Sequence, residues 1–140
     1  MPDHPRVLAP GTATGEVVRL DEPLSFWGGF DPETGTLIDA HHPQAGAPLA
    51  GRVLVMPSGR GSSSSSYVFT EAIRTGTAPA AVVLAEADPI VALGAIVAEE
   101  LYGVAVPVVV SPDSDLSTGE VVTVRATTDG LVTTTPTGDR

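Results

Sequence analysis

Three short runs rich in β-branched residues, Arg52–Met56, Ala80–Ala85 and Val104–Val110, alternate with two stretches whose apolar residues recur at helical spacing. That alternation restricts the fold more than any other feature of the chain. Strands joined through a helix pair in parallel by right-handed crossovers, with the helices laid on the sheet. Runs that are apolar almost throughout belong to strands covered on both faces. In the first intervening stretch Val68/Ala72 and Phe69/Ile73 repeat at i, i+4, and Gly76 stands where a left-handed residue ends a helix. The second opens with Asp88 as N-cap and Pro89 at the first helical position. It continues from Ile90 to Leu101, apolar nearly all round and so expected to be well buried, and closes at Gly103. Gly94 is a point at which this element could divide in two.

The flanks read as shorter strands. Gly15–Asp21 ends at the Glu22-Pro23 breaker, and Leu24–Phe30 is apolar and carries Gly28-Gly29. Asp31-Pro32-Glu33-Thr34-Gly35 has turn chemistry, because Asp bonds back to the backbone and Pro fixes φ. Thr36–Asp39 is a short strand, followed by a loop through His41, His42 and Pro43. Glu120–Ala126 alternates as a half-exposed strand, and Leu131–Thr135 is the last. Residues 1–10 read as a loose lead-in, 11–135 as one domain and 136–140 as a frayed tail. The strands before and after the alternating middle call for antiparallel pairing. The fold class is α/β, a mixed β/β/α barrel-like or sandwich arrangement.

Between the first buried strand and its helix lies Pro57-Ser58-Gly59-Arg60-Gly61, followed by five serines, Ser62 to Ser66. A glycine-bounded turn that opens a helix leaves backbone N–H groups unpaired at the positive helix end. An anion, or a hydroxyl that must become one, is stabilised there. A flexible linker is the plainer reading of a serine run, but the adjoining strand and apolar stripe leave no room for a spacer. The turn is not a P-loop, since the required spacing is absent and the 140 residues include no lysine. Nor does it have the Gly-x-Ser-x-Gly frame of a nucleophile elbow. Ser62 with His41 or His42 and Asp39 could compose a triad, although no spacing brings them together. Arg60 has little core to cover, which leaves carboxylate binding, partner contact and plain exposure open. Trp27 is expected in a core or interface, with stacking on a substrate the alternative. His41 and His42 lack a third metal ligand at recognisable spacing and are expected to be exposed loop residues.

A net charge of −10 disfavours nucleic-acid binding, which needs a basic face. The chain has no cysteine, so it can form no disulfide and supply no thiolate to a metal. No apolar segment is long enough to suggest a membrane span or leader, and a cytoplasmic protein is the expectation.

Taken in order, Leu24-Ser25-Phe26-Trp27-Gly28-Gly29, Asp31-Pro32-Glu33-Thr34-Gly35, Gly59-Arg60-Gly61-Ser62-Ser63 and Ala78-Pro79-Ala80-Ala81-Val82-Val83 resemble the small subunit of the aconitase X family. The likeness runs from about Gly11 to Val124. It implies a swivelling β/β/α domain of the aconitase small-domain type that covers the active site of a larger, aconitase X-like partner. By the same resemblance the partner carries an iron–sulfur cluster, this chain carries no cofactor, and Ser62 is the catalytic base. Arg60, Gly61 and Ser63 would bind a small carboxylate substrate. The implied activity is a dehydratase (hydro-lyase), with the isolated chain inactive and a homo-oligomer one form it could take. Ser-Phe-Trp-Gly-Gly, the full serine run and Glu100-Leu101-Tyr102-Gly103 resemble the bacterial cis-3-hydroxy-L-proline type more than the mevalonate 5-phosphate type. The rival readings from other classes are a non-catalytic anion-binding domain and a structural subunit.

Overall fold

The three apolar runs form the centre of one seven-stranded sheet, in a computed structural model that describes residues 5–130 and 132–137. In chain order the strands are β1 (Arg6–Ala9), β2 (Gly11–Arg19), β3 (Phe30–Asp31), β4 (Thr36–Leu37), β5 (Val53–Met56), β6 (Ala81–Leu84), β7 (Val108–Val110), β8 (Val121–Ala126) and β9 (Val132–Pro136). The helical elements are a single turn α1 (Phe26–Gly29) and two helices, α2 (Ser64–Thr75) and α3 (Pro89–Tyr102). The sheet order is β1-β7-β6-β5-β2-β8-β9, and β3 and β4 form a separate hairpin.

Strands β5, β6 and β7 pair in parallel, joined through α2 and α3 as the alternation predicts. The antiparallel expectation for the flanks holds for β8 with β9 and for β2 with β8. It fails for the C-terminal end of β2, where Val17–Arg19 run parallel to Val53–Val55. One strand therefore serves two halves of the sheet, and nothing local in its sequence announces this.

Alternate residues of the central strands serve two cores. Leu54, Met56, Val82, Leu84 and Val108 pack with Phe69, Ala72, Ile73, Val91 and Ala95 of the helices. On the opposite face Val53, Val55, Val83 and Val109 pack with Val122, Val124 and Ala126 of β8. A strand two places from β5 can reach that face only if the sheet curls over, which makes the domain barrel-like. Burial on both faces is why these strands read as unbroken apolar runs.

Several local expectations change. Within the stretch expected to be a loose lead-in, Arg6–Ala9 form edge strand β1, antiparallel to β7. Residues 1–4 lie outside the described residues, as do Leu131 and most of the expected frayed tail, although Pro136 is still paired with Val122. β7 is confined to Val108–Val110, starting after Pro107. Helix α3 is continuous through Gly94, capped by the Asp88 carboxylate and closed by left-handed Gly103. It is less buried than its composition suggests, since Leu93 and Ile96 are exposed.

Gly94 marks instead where the helices meet. The Ser66 hydroxyl donates to the Ile90 carbonyl at 2.6 Å and the Thr70 hydroxyl to the Gly94 carbonyl at 2.9 Å. Because partners advance together by one turn, α2 and α3 run parallel, and their N-termini open at the carboxyl ends of the strands. In open α/β sheets that is the end where ligands bind.

Candidate active site

Beyond Met56 the chain turns through residues 57–63 before α2 begins. The turn is tied to the segment preceding α1: Leu24 and Gly59 bridge in parallel, and the Arg60 N–H donates to the Leu24 carbonyl at 3.2 Å. Phe26 anchors that segment, fully buried and stacked on Phe69 of α2 with ring centroids 4.7 Å apart. Burying such a ring contributes about 1.5–3 kcal/mol, and the stacking adds about 0.5–1.5 kcal/mol.

Gly61 holds the point of closest approach. Its φ is +108°, and a Cβ there would stand 2.5 Å from Ser25 Oγ and 2.9 Å from Ser65 Oγ. The next residue, Ser62, performs the cap by its bonding. Its hydroxyl oxygen accepts the Ser64 N–H at 3.2 Å and its carbonyl accepts the Ser65 N–H at 2.9 Å. Ser63 already has helical dihedrals and caps nothing with its side chain. Among the described residues, no acceptor meets the N–H groups of Gly61, Ser62 and Ser63. The outcome is an exposed hydroxyl that already receives one backbone N–H, with three unbonded N–H groups around it at the positive end of α2.

The serine run divides. Ser62, Ser63 and Ser64 face outward, whereas Ser65 and Ser66 are buried. Ser65 Oγ accepts the Trp27 N–H at 3.2 Å and lies 3.3 Å from Ser25 Oγ, and Ser66 makes the helix–helix bond described above. The linker reading is therefore replaced by a helix start in which the last two serines are structural.

Arg60 projects from the turn half-exposed, its Nη2 3.4 Å from Asp39 Oδ2. A single long contact in solvent is a weak tie. Asp39 is fixed by accepting the His41 N–H at 2.9 Å. The imagined triad does not assemble, because Asp39 faces Arg60 and the His41 amide. His42 is not an exposed loop residue: it is 4% exposed, accepts the Gln44 N–H at Nδ1, and so donates from Nε2 to the Glu22 carbonyl. His41 is exposed as expected.

Of the two places expected for Trp27, core and interface, the core is ruled out: the residue is 62% exposed, with its backbone N–H bonded to Ser65. Tyr67, one helical turn beyond Ser63, is 69% exposed. Trp27, Tyr67, Arg60 and the three outward serines are all exposed. Sequence reasoning did not find the Ser25–Ser65 contact or the Asp39–Arg60 pair. The only signal for them was the density of small residues in Ser25–Gly29 and Gly59–Ser66.

This donor set does not fit an iron–sulfur cluster on the chain. There is no cysteine, and among the described residues no three His, Asp or Glu side chains converge as metal ligands would.

Comparison with known proteins bears on the same stretch. Over 104 residues the chain is 53% identical to the cis-3-hydroxy-L-proline dehydratase of Pseudomonas aeruginosa, covering 74% of this chain and 18% of that protein. The chain thus spans about a fifth of the length of this relative. It is 44% identical over 111 residues to the phosphomevalonate dehydratase small subunit of Methanothermobacter thermautotrophicus, covering 79% of this chain and 80% of that subunit. Among solved structures, Thermococcus kodakaraensis aconitase X in its holo-form superposes with a TM-score of 0.77 at 39% identity, over 88% of this chain and 92% of that one. Residues 3–134 match the aconitase X swivel domain, and the chain belongs to that family.

Proposed function

We propose that this chain is the small subunit of a two-part hydro-lyase and supplies its base, Ser62, to a larger aconitase X-like partner that holds an iron–sulfur cluster. The observation that carries the reading is the Ser62 hydroxyl, exposed at a helix start with an N–H already donated to its oxygen and unbonded N–H groups beside it. Exposure of Arg60 to Ser64 suits a site completed by another surface.

In the reaction a C–H bond next to a carboxylate and a neighbouring C–O bond break. Ser62, as alkoxide, takes the proton, the C–H electron pair becomes the new C=C bond, and the hydroxyl departs as water with a second proton. A serine hydroxyl is a weak base unless its anion is stabilised. The helix dipole supplies about 0.3–1 kcal/mol at a surface and up to ~2 kcal/mol when partly buried. At about 1.36 kcal/mol per pKa unit, that accounts for only a unit or so. The remainder falls to the N–H groups of Gly61 to Ser63 and to Arg60, which must also outweigh the cost to the anion of losing water when the partner closes over the turn. Arg60 exchanges its weak contact with Asp39 for the substrate carboxylate, while Gly61 and Ser63 offer backbone N–H groups to the same charge.

The substrate favoured by the higher identity is cis-3-hydroxy-L-proline. Mevalonate 5-phosphate is the second reading, supported by the match across most of the archaeal small subunit. Both carry a hydroxyl on the carbon next to the one that loses the proton. No described helix is long and apolar enough to cross a membrane, and we place the enzyme in the cytoplasm. Assaying the complex reconstituted with its large subunit on the two substrates decides between them. Turnover of neither would overturn the reading, as would dehydration by this chain alone.

A further inference from the structure

Gly59, near the head of the turn that carries Arg60 and Ser62, has no room for a side chain. A Cβ there would run into Asp88 Oδ2 and stand 2.8 Å from Val91 Cγ2, both at the start of α3. The φ of Gly59 is not positive, so glycine is required for space and not for conformation. Gly59 also bridges Leu24, ahead of α1. The backbone of the turn is thus held by the segment before α1 and by the carboxylate of Asp88.

Asp88 is itself fixed. It is 9% exposed, its Oδ1 accepts the Ile90 N–H at 2.9 Å, and its carbonyl accepts the Ala92 N–H at 3.2 Å. The loop that leads to it is tied to the same turn, because the Pro57 carbonyl accepts the N–H groups of Ala85 at 3.1 Å and Glu86 at 3.0 Å. Among the described residues Oδ2 accepts no hydrogen bond, and Asp88 joins no ion pair. The positive end of α3 offsets the charge. Capping occupies one oxygen, and serine or asparagine caps a helix as well as aspartate. The second oxygen, set against the backbone of Gly59, is not needed for the cap.

We infer that Asp88 is a positioning residue for Ser62: Oδ2 is the stop against which the turn seats, and this contact sets where the Ser62 hydroxyl stands. The inference rests on the reading of Ser62 as the base. The long side chain of Arg60 re-aims after a small backbone shift, whereas the short side chain of Ser62 moves with its Cα. A misplacement of about 1 Å costs on the order of 10²-fold in rate. Removing the stop therefore falls on kcat more than on KM.

The test compares D88S and D88N, by kinetics of the reconstituted enzyme and by amide-resolved NMR of this chain alone. Serine keeps the cap and removes the group at Gly59, whereas asparagine keeps both. D88S is expected to lower kcat at least about tenfold, with KM changed less than about threefold, and to shift the amides of Arg60 to Ser63. D88N should restore near wild-type kinetics and amide positions. Gly59→Ala presses on the same contact from the other side, should reproduce the shifts and the loss of kcat, and decides the matter if D88S does not fold. Wild-type behaviour of D88S, a D88N as impaired as D88S, or unmoved Ser62 and Ser63 amides in D88S would each overturn the inference. Absence of turnover in the wild-type complex would instead sink the reading of Ser62, and the amide shifts would still decide whether Asp88 seats the turn.

Discussion

The Ser66 hydroxyl lies 2.6 Å from the Ile90 carbonyl, a bond from the first turn of one helix to the first turn of its neighbour. Thr70 repeats it on Gly94, and together they draw α2 against α3 until no side chain fits at Gly94. A Cβ there would stand 2.9 Å from the Ser66 carbonyl and 3.0 Å from Phe69 Cδ2. Gly94→Ala gains about 0.8–1 kcal/mol of helix propensity. It also forces apart two packed backbones, which costs about 1–3 kcal/mol. A net loss of stability is expected, read as a lower urea midpoint with an unchanged slope.

Gly61→Ala should do more damage to the site. The left-handed φ costs about 1–2 kcal/mol for any residue with a Cβ, and that Cβ collides with Ser25 and Ser65. Denaturant unfolding should show a loss of at least about 2 kcal/mol. Trp27, the only tryptophan in the chain, hangs on the same Ser65 contact. Its intrinsic emission should therefore change in the folded variant, whereas a substitution in the opposite core such as Val124→Ala should leave it near wild type.

Arg60 gives a separable prediction. A hydrogen bond to a charged group is worth about 1.5–3 kcal/mol, so Arg60→Gln should raise KM roughly 10- to 100-fold with a smaller effect on kcat. Steady-state kinetics of the reconstituted enzyme provide the measurement. An unchanged KM would remove Arg60 from carboxylate binding.

The Glu71–Arg74 pair sets an acid-side dependence. The hydrogen bond from Arg74 holds the Glu71 carboxyl below its ordinary value of 4.5. A depressed folded-state value means that the contribution is present above the unfolded value and is lost as pH falls through the folded one. Arg74 is exposed and Glu71 partly so, which leaves the pair open to solvent screening and the effect small. Glu71→Gln should lower the thermal midpoint slightly at neutral pH, and the difference should vanish in scans well below pH 4.5.

What could be foreseen from the chain, and what could not, follows from the range of the interactions. Asp88, Gly76 and Gly103 cap or close helices by contacts with their own neighbours, and each does what its position predicts. Val53–Met56 and Ala81–Leu84 declare burial on both faces by composition alone. Strand β1 was missed because four residues between prolines gain their structure only by pairing with β7, about a hundred residues away. The parallel docking of β2 on β5 is equally non-local. At the site, the turn that opens α2 was legible, but the burial of Ser65 and His42 depends on segments that meet only in the fold. Trp27 lies outside the core although size and hydrophobicity argue for burial, because the bonds that hold it outward are made by its backbone.

Ser62 carries the proposed chemistry, and the most direct test is turnover of the complex reconstituted with Ser62→Ala, with assembly followed separately by sedimentation. The substitution removes one exposed oxygen and a single 3.2 Å cap bond, so folding and assembly should persist. The predicted result is an intact complex with dehydration lowered by at least three orders of magnitude. An intact complex turning over near the wild-type rate would contradict the assignment of the base.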